Sequence, residues 1–377
     1  MTPADPPLAE PPLGVGIVGA GPVVQAIHLP TLARLGSDLV VRRVMDIDPA
    51  VAAEVAARAG AQPCTSLEEL LGDDSVDVVA VCSPHGFHAE QAIAAMEAGK
   101  RAVLCEKPLA TDAEQAAAIA EASRRTGVPV IVGAMHTFEP GWLELQRIWE
   151  DLPKRVHTVR SRISLPPNPY FEDLATEVKG RIPMVPGTET GPEADAARVA
   201  GGVLGLAIHD LPLIRALLPG RSALQVLHAE PRAPFGYAIS ADVDGRLLQL
   251  EGGIHSHWRA QWTLEAIAED AVLHIDFTPS YVHAGSAVVT LTGADGASRI
   301  FGSYNYNGYE GEWRTLVAAV RGAGPTVPGS AAPVPAAAPG PVAPAPEMSV
   351  LEADLAFALE LADRASRCIL ETSEVPA

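Results

Sequence analysis

Short apolar runs alternate with stretches of helical spacing along the first third of the chain. Residues 14–19 form an apolar run closed by glycines, the pattern of a strand buried on both faces. A helical stretch over 23–35 follows, then a β-branched run over 39–45 that ends at Asp46. Helical spacing returns over 49–59 and 66–71, the latter behind a Thr65-Ser66 cap. Residues 76–82 (Val-Asp-Val-Val-Ala-Val-Cys) give the strongest strand signal. Helices are predicted over 89–98 and 112–125, each stopped by a glycine, and strands over 102–105 and 128–132. Strands separated by helices at this spacing predict a parallel sheet covered on both faces.

Beyond residue 134 the rhythm changes. A helix is predicted over 140–149 and a strand over 156–165, whereas 166–198 holds six prolines and reads as irregular. The spacing predicts one helix over 201–218. Six strand-like runs then succeed one another, over 223–229, 237–243, 247–255, 261–268, 272–277 and 287–291. Strands in succession predict a mostly antiparallel sheet in a second, α+β unit. Helices are predicted over 310–321 and 349–371. The expected division is a disordered tail (1–12), a Rossmann doubly wound unit (13–134), an α+β unit (135–322), a Pro/Ala-rich linker (323–347) and a closing helix (348–377) that packs back on the body.

Composition locates the punctuation. The 377 residues include 33 glycines and 34 prolines, above ordinary usage of about 7% and 5%. The largest block is 325–346, with eight prolines among Ala, Gly, Val and Ser, which excludes a helix or a central strand there. The net charge of −19 argues against nucleic acid as a partner, since phosphate binding needs a basic face. No apolar run reaches membrane-spanning length, and the first residues lack the basic and apolar parts of a signal peptide. Four cysteines without a CxxC pair read as free thiols of a cytoplasmic protein with no metal site.

Three segments carry candidate chemistry. Gly19-Ala20-Gly21-Pro22-Val23-Val24 follows a strand and opens a helix. Its first glycine allows a tight turn, and the second lets the backbone approach a pyrophosphate at the helix N-terminus. Asp46, at the end of the next strand, is placed to accept from a ribose hydroxyl. With Asp48 it disfavours a 2′-phosphate, so NAD is expected rather than NADP. Cys105-Glu106-Lys107-Pro108 puts a lysine at the carboxyl end of a parallel strand, where a desolvated amine with a lowered pKa serves as acid or base. Gly201 to Leu211 places His209 one helical turn from Gly205, on the same face. A lysine in a loop is ordinarily a solvated charge, and a lone histidine on an apolar helix ordinarily a packed one.

Taken together, the segments 16–30 (GIVGAGPVVQAIHLP), 83–88 (SPHGFH), 98–110 (AGKRAVLCEKPLA) and 201–211 (GGVLGLAIHDL) resemble the Gfo/Idh/MocA family of sugar and cyclitol oxidoreductases. The likeness is dense over 13–134 and returns near 201–218 and 309–321. It implies a Rossmann domain followed by an open-sheet domain used for dimer or tetramer contacts. It also implies hydride transfer between nicotinamide and a hydroxyl or keto carbon of a sugar, cyclitol or nucleotide-sugar-like substrate. Lys107 and His209 would be the acid/base pair. Gly19, Gly21, Pro22, Val23, Asp46, Ser83, Pro84, His88, Glu106 and Lys107 would hold the dinucleotide. His136, Asp210 and Arg181 are candidate substrate contacts, with Tyr306, Tyr309, Lys179 and Arg198 as further candidates.

Three positions depart from the family pattern. Gly205 stands where an Asp is common, Ala207 where a glycine follows, and His85 where an Asn is usual. Loss of that Asp removes a carboxylate that would orient substrate and raise the basicity of His209. An altered-site dehydrogenase, a redox-neutral or imine/ketone-reducing variant, and a non-catalytic dinucleotide-binding regulator all remain open at this point. Retention of both Lys107 and His209 weighs against the last.

Overall fold

The computed structural model describes residues 10–181, 189–220, 223–255, 259–322 and 340–373. The predicted tail and linker therefore fall largely outside the described residues. Six parallel strands form the first sheet: β1 Leu13–Val18, β2 Leu39–Met45, β3 Gln62–Cys64, β4 Val78–Val81, β5 Ala102–Cys105 and β6 Val130–Val132. Their spatial order is β3-β2-β1-β4-β5-β6, which reverses direction between β1 and β4. Five helices connect them: α1 Leu29–Arg34, α2 Pro49–Ala59, α3 Leu67–Leu71, α4 His88–Glu97 and α5 Ala113–Thr126. A π-type turn over Val24–His28 leads into α1. The caps follow the sequence: Asp48, Ser66 and Asp112 accept backbone N–H groups at the starts of α2, α3 and α5, and Gly60 and Gly127 end α2 and α5 at positive φ. The three-residue β3 lies beside β2 and carries too little pattern to be foreseen.

The second layer begins with α6 Pro140–Gln146 and α7 Leu152–Arg155. Its sheet contains β7 Val156–Leu165, β8 Leu224–Pro231, β9 Phe235–Val243, β10 Arg246–Ile254, β11 Gln261–Ala268, β12 Ala271–Asp276, β13 Val288–Gly293 and β14 Ser298–Phe301. The order is β14-β13-β12-β11-β7-β10-β9-β8, antiparallel except for the parallel pair β7–β10. The edge strand β14 is exposed along its length and lacks the alternation that would have marked it.

Two expectations in the middle of the chain are corrected. The stretch 166–198 is not irregular throughout: α8 covers Asn168–Ala175 and α9 covers Pro192–Gly205, each with a proline in its first turn. Proline lacks a helical donor but has a helical φ, so here it begins helices rather than forbidding them. The single helix over 201–218 is also broken. α9 stops at Gly205, a 3₁₀ turn spans Ala207–His209, and α10 (Leu211–Leu217) leaves at 71° with Pro212 in its first turn. Among the described residues no single helix is long and apolar enough to cross a membrane.

Two later helices tie the layers together. α11 (Gly308–Arg321) lays Trp313 and Leu316 against Val15, Ile17 and Leu104 of the parallel sheet. α12 (Met348–Ser373) gives Leu351 and Leu355 to the core beside α5, and Phe357, Leu361 and Ile369 to the core of the second sheet. Before it, the extended residues 340–347 seat Ala343 and Ala345 against the first layer, and the Tyr306 hydroxyl donates to the Pro341 carbonyl at 2.8 Å.

Candidate active site

The glycine turn is built for close approach. Gly19 has φ +88°, and a Cβ there would sit 2.8 Å from the Cys82 carbonyl, so only glycine fits. A Cβ on Gly21 would meet nothing within 4 Å, leaving open space above the turn. Asp46 accepts from the Ala20 N–H at 2.8 Å and from the Asp48 N–H at 3.0 Å, fixing the loop after β2 against the turn after β1. The turn after β1 leaves the sheet at the β1/β4 reversal, the place where open α/β sheets take their ligands, with the loop after β2 next to it. The open cradle over Gly21 and the carboxylate at Asp46 fit a dinucleotide. Gly21, Pro22 and Val23 would face its pyrophosphate, and Asp46 its ribose.

Other residues expected at the cofactor have structural partners. Ser83 Oγ donates to Gln91 at 2.5 Å. His88 is buried, with its ring nitrogens 2.8 Å from the Ser83 and Pro108 carbonyls, so it clamps the loop after β4 to the loop after β5. Pro84 lies in that clamped loop. Exposed apolar side chains follow the flanking strands, Ile47 after β2 and Phe87 in the turn after β4. Their exposure carries no sequence signal.

Glu106 and Lys107 leave β5 into a cavity of about 270 Å³ between the layers. One Glu106 oxygen pairs with His28 Nε2 at 3.0 Å, and the other accepts the Lys107 backbone N–H at 3.1 Å. Trp313 Nε1 donates to His28 Nδ1 at 3.1 Å, so His28 Nε2 is the donor to Glu106. Burial pushes the Glu106 pKa up, but His28 and Lys107 outweigh it and hold the group below its ordinary value. Glu312, buried beside His28, is pushed well up by burial and by the charge of Glu106. His28, Trp313 and Glu312 were not singled out by sequence, because His28, at the end of the turn before α1, and Trp313 of α11 lie 285 residues apart.

Lys107 Nζ donates to the Gly205 carbonyl at 3.1 Å. Burial lowers its pKa, partly opposed by Glu106. His209 lines the same cavity, and its Nδ1 is buried without a partner. Burial, then the charges of Lys107 and His136, lower its pKa well below the ordinary histidine value, leaving a neutral imidazole at pH 7. The break after Gly205 means that Gly205 and His209 do not stack along one helix, but both still border the cavity.

His136 and Asp210 lie behind this wall. Asp210 is fully buried and accepts from His136 Nδ1 at 2.8 Å, Ser161 Oγ at 2.6 Å and Trp262 Nε1 at 2.9 Å. His136 stacks on Phe277, with ring centroids 3.7 Å apart. Neither lines the cavity. Arg181 is held by Glu172 at 3.0 Å and Asp173 at 2.5 Å, away from it. Lys179 pairs with Glu177, and Arg198 with Asp195. Of the two candidate tyrosines, Tyr309 borders the cavity and Tyr306 does not. Gly202 sets the wall's position, since a Cβ there would lie 2.6 Å from the Tyr237 ring of β9.

A doubly wound sheet with a glycine cradle at its carboxyl ends defines a Rossmann-type dinucleotide-binding fold. Residues 13–134 match the family model described as an oxidoreductase family with an NAD-binding Rossmann fold. Inositol 2-dehydrogenase 2 of Saccharopolyspora erythraea is 32% identical over 248 residues, which cover 64% of either chain. On these matches residues 13–134 resemble the NAD-binding unit of the Gfo/Idh/MocA family. The match spans less than two thirds of the length of the curated relatives, 64% of one and 49% of another. Two solved structures share the fold. UDP-N-acetylglucosamine 3-dehydrogenase from Acidithiobacillus ferrooxidans has a TM-score of 0.69 at 17% identity, covering 95% of this chain and 99% of that one. A 3-ketoreductase from Actinomadura kijaniata, in complex with NADP, has a TM-score of 0.63 at 18% identity, covering 93% and 96%.

Proposed function

We propose that the protein is an NAD(P)-dependent oxidoreductase acting on a hydroxyl-bearing or keto carbon of a small sugar- or cyclitol-type ring. The observation that carries this reading is the convergence of Lys107 and His209, both with lowered pKa, on one cavity bordered by Val23 and Ile27 of the cofactor turn. A bound nicotinamide supplies the hydride acceptor or donor. In oxidation, neutral His209 takes the hydroxyl proton while the Lys107 ammonium holds the substrate oxygen. In reduction, the same groups return a proton to the carbonyl oxygen. Glu106, anchored by His28, fixes the backbone from which Lys107 reaches the cavity.

NAD is preferred over NADP in this reading. Asp46 and Asp48 stand at the ribose end, and Arg43 is already engaged by Asp73 and Glu69 at 2.7 Å each. The open face of the second sheet serves as the contact of a homodimer or homotetramer, and the enzyme works in the cytoplasm on a small molecule. Absorbance at the NADH band with a panel of cyclic alcohols and ketones tests the activity. Loss of turnover in Lys107→Ala with dinucleotide binding intact supports the assignment, and unchanged turnover overturns it.

A further inference from the structure

The chemistry of the cavity wall narrows the substrate. Leu165, Ile254 and Phe235 form one row across three paired strands, with Ile254 opposite Leu165 on β7 and opposite Phe235 on β9. Ile27, Met135 and Leu206 close other sides. Two of the aromatic residues commit their polar atoms elsewhere. Trp262 Nε1 is engaged by Asp210 and the Tyr281 hydroxyl interacts with Glu172, whereas the Tyr309 oxygen faces the Tyr281 backbone only as an acceptor and keeps its O–H free. Both Glu106 oxygens are engaged. Among the described lining residues, the polar side chains left to meet a ligand are Lys107, His209, Asn168, Ser280 and the Tyr309 O–H. Position 205 adds no side chain, and a Cβ there would meet nothing within 4 Å.

A ring with a hydroxyl on every carbon needs a partner for each when it leaves water, and each one left unpaired loses the hydrogen bonds it made there. Lys107 and His209 serve the reacting oxygen, so among the described lining residues three neutral side chains, Asn168, Ser280 and Tyr309, remain for all the others. An apolar ring face, by contrast, gains by leaving water for Leu165, Ile254 and Phe235. We propose that the site takes a ring-shaped alcohol or ketone stripped of most of its hydroxyls, an alicyclic or deoxygenated sugar-like body with one reacting oxygen. This rests on the oxidoreductase reading above and specifies its substrate.

The test uses the full chain saturated with NADH and two ketones of equal ring size, cyclohexanone and scyllo-inosose. Tryptophan fluorescence reads the affinity of each for the protein–NADH complex, and absorbance reads turnover. Cyclohexanone should bind, and show kcat/KM, about 10²-fold more favourably, the discrimination an apolar pocket achieves against added hydroxyls. Gly205→Asp should shrink that ratio. Equal or tighter binding of scyllo-inosose, or binding of neither ketone, overturns the proposal. Selective binding of cyclohexanone without NADH consumption keeps the ligand class and removes the oxidoreductase reading, so the two failures are distinguishable.

Discussion

The Lys107 ammonium donates to the carbonyl of Gly205, 3.1 Å away, where α9 ends. The partner of the amine is thus a backbone carbonyl and not a side-chain carboxylate. It holds the amine in position but brings no full negative charge, so burial is left to lower the Lys107 pKa.

Gly205→Asp tests this directly. The Cβ has open space, so stability should change by no more than about 0.5 kcal/mol. The added carboxylate favours the charged amine and raises its pKa. The alkaline limb of the pH–rate profile should therefore move up. An unmoved limb with a normal thermal midpoint means that position 205 does not face the amine.

His209 gives the opposite limb. Its pKa is lowered by burial first, then by Lys107 and His136, so the acid limb for alcohol oxidation should lie below the ordinary value of 6.5. Lys107→Met removes one of those charges and should raise the His209 value, read by NMR titration of the ring. The linked stability has a definite sign. The unfolded histidine takes up a proton near 6.5 and the folded one does not, so stability is present above that pH and declines as the pH falls below it. Urea midpoints from pH 8 to 5 should show this decline, and His209→Phe should reduce it.

The parts of the site legible in sequence are those set by local backbone. Gly19 and Gly21 follow a buried strand, and Glu106-Lys107-Pro108 ends another, so their positions follow from the strand–helix alternation. The break after Gly205 was hidden because Gly201 to Leu217 is apolar at helical spacing throughout. Pro212 was the available signal, since a proline there begins a helix more readily than it continues one. The roles of His88, His136 and Asp210 depend on partners 20 to 74 residues away. The apolar floor of Leu165, Phe235 and Ile254 exists only through strand register, which no single segment encodes.

Asp210 supplies a stability prediction that separates a positioning role from substrate contact. Its oxygens accept from His136, Ser161 and Trp262 in a fully buried setting. Asp210→Asn turns one acceptor into a donor facing other donors. It should cost about 1–3 kcal/mol in urea unfolding even with no ligand present. A variant of unchanged stability but raised KM would instead place Asp210 in contact with substrate.

The closing helix gives the last prediction. α12 buries Leu351 and Leu355 against the parallel-sheet layer and Phe357, Leu361 and Ile369 against the antiparallel one. Each such side chain contributes about 1.5–3 kcal/mol by burial, so the five together rival the net stability of a whole domain, about 5–15 kcal/mol. Arg215 of α10 also pairs with Asp354 of α12, so removal leaves a charge beneath the helix as well as exposed apolar surface. A chain ending at residue 322 should therefore lose cooperative unfolding, even though Trp313 and the parallel sheet are retained. Leu361→Ala should show the graded form of the same effect, a loss of about 2–5 kcal/mol by urea titration. A truncated chain with the full-length thermal midpoint would show that both layers close their cores without α12.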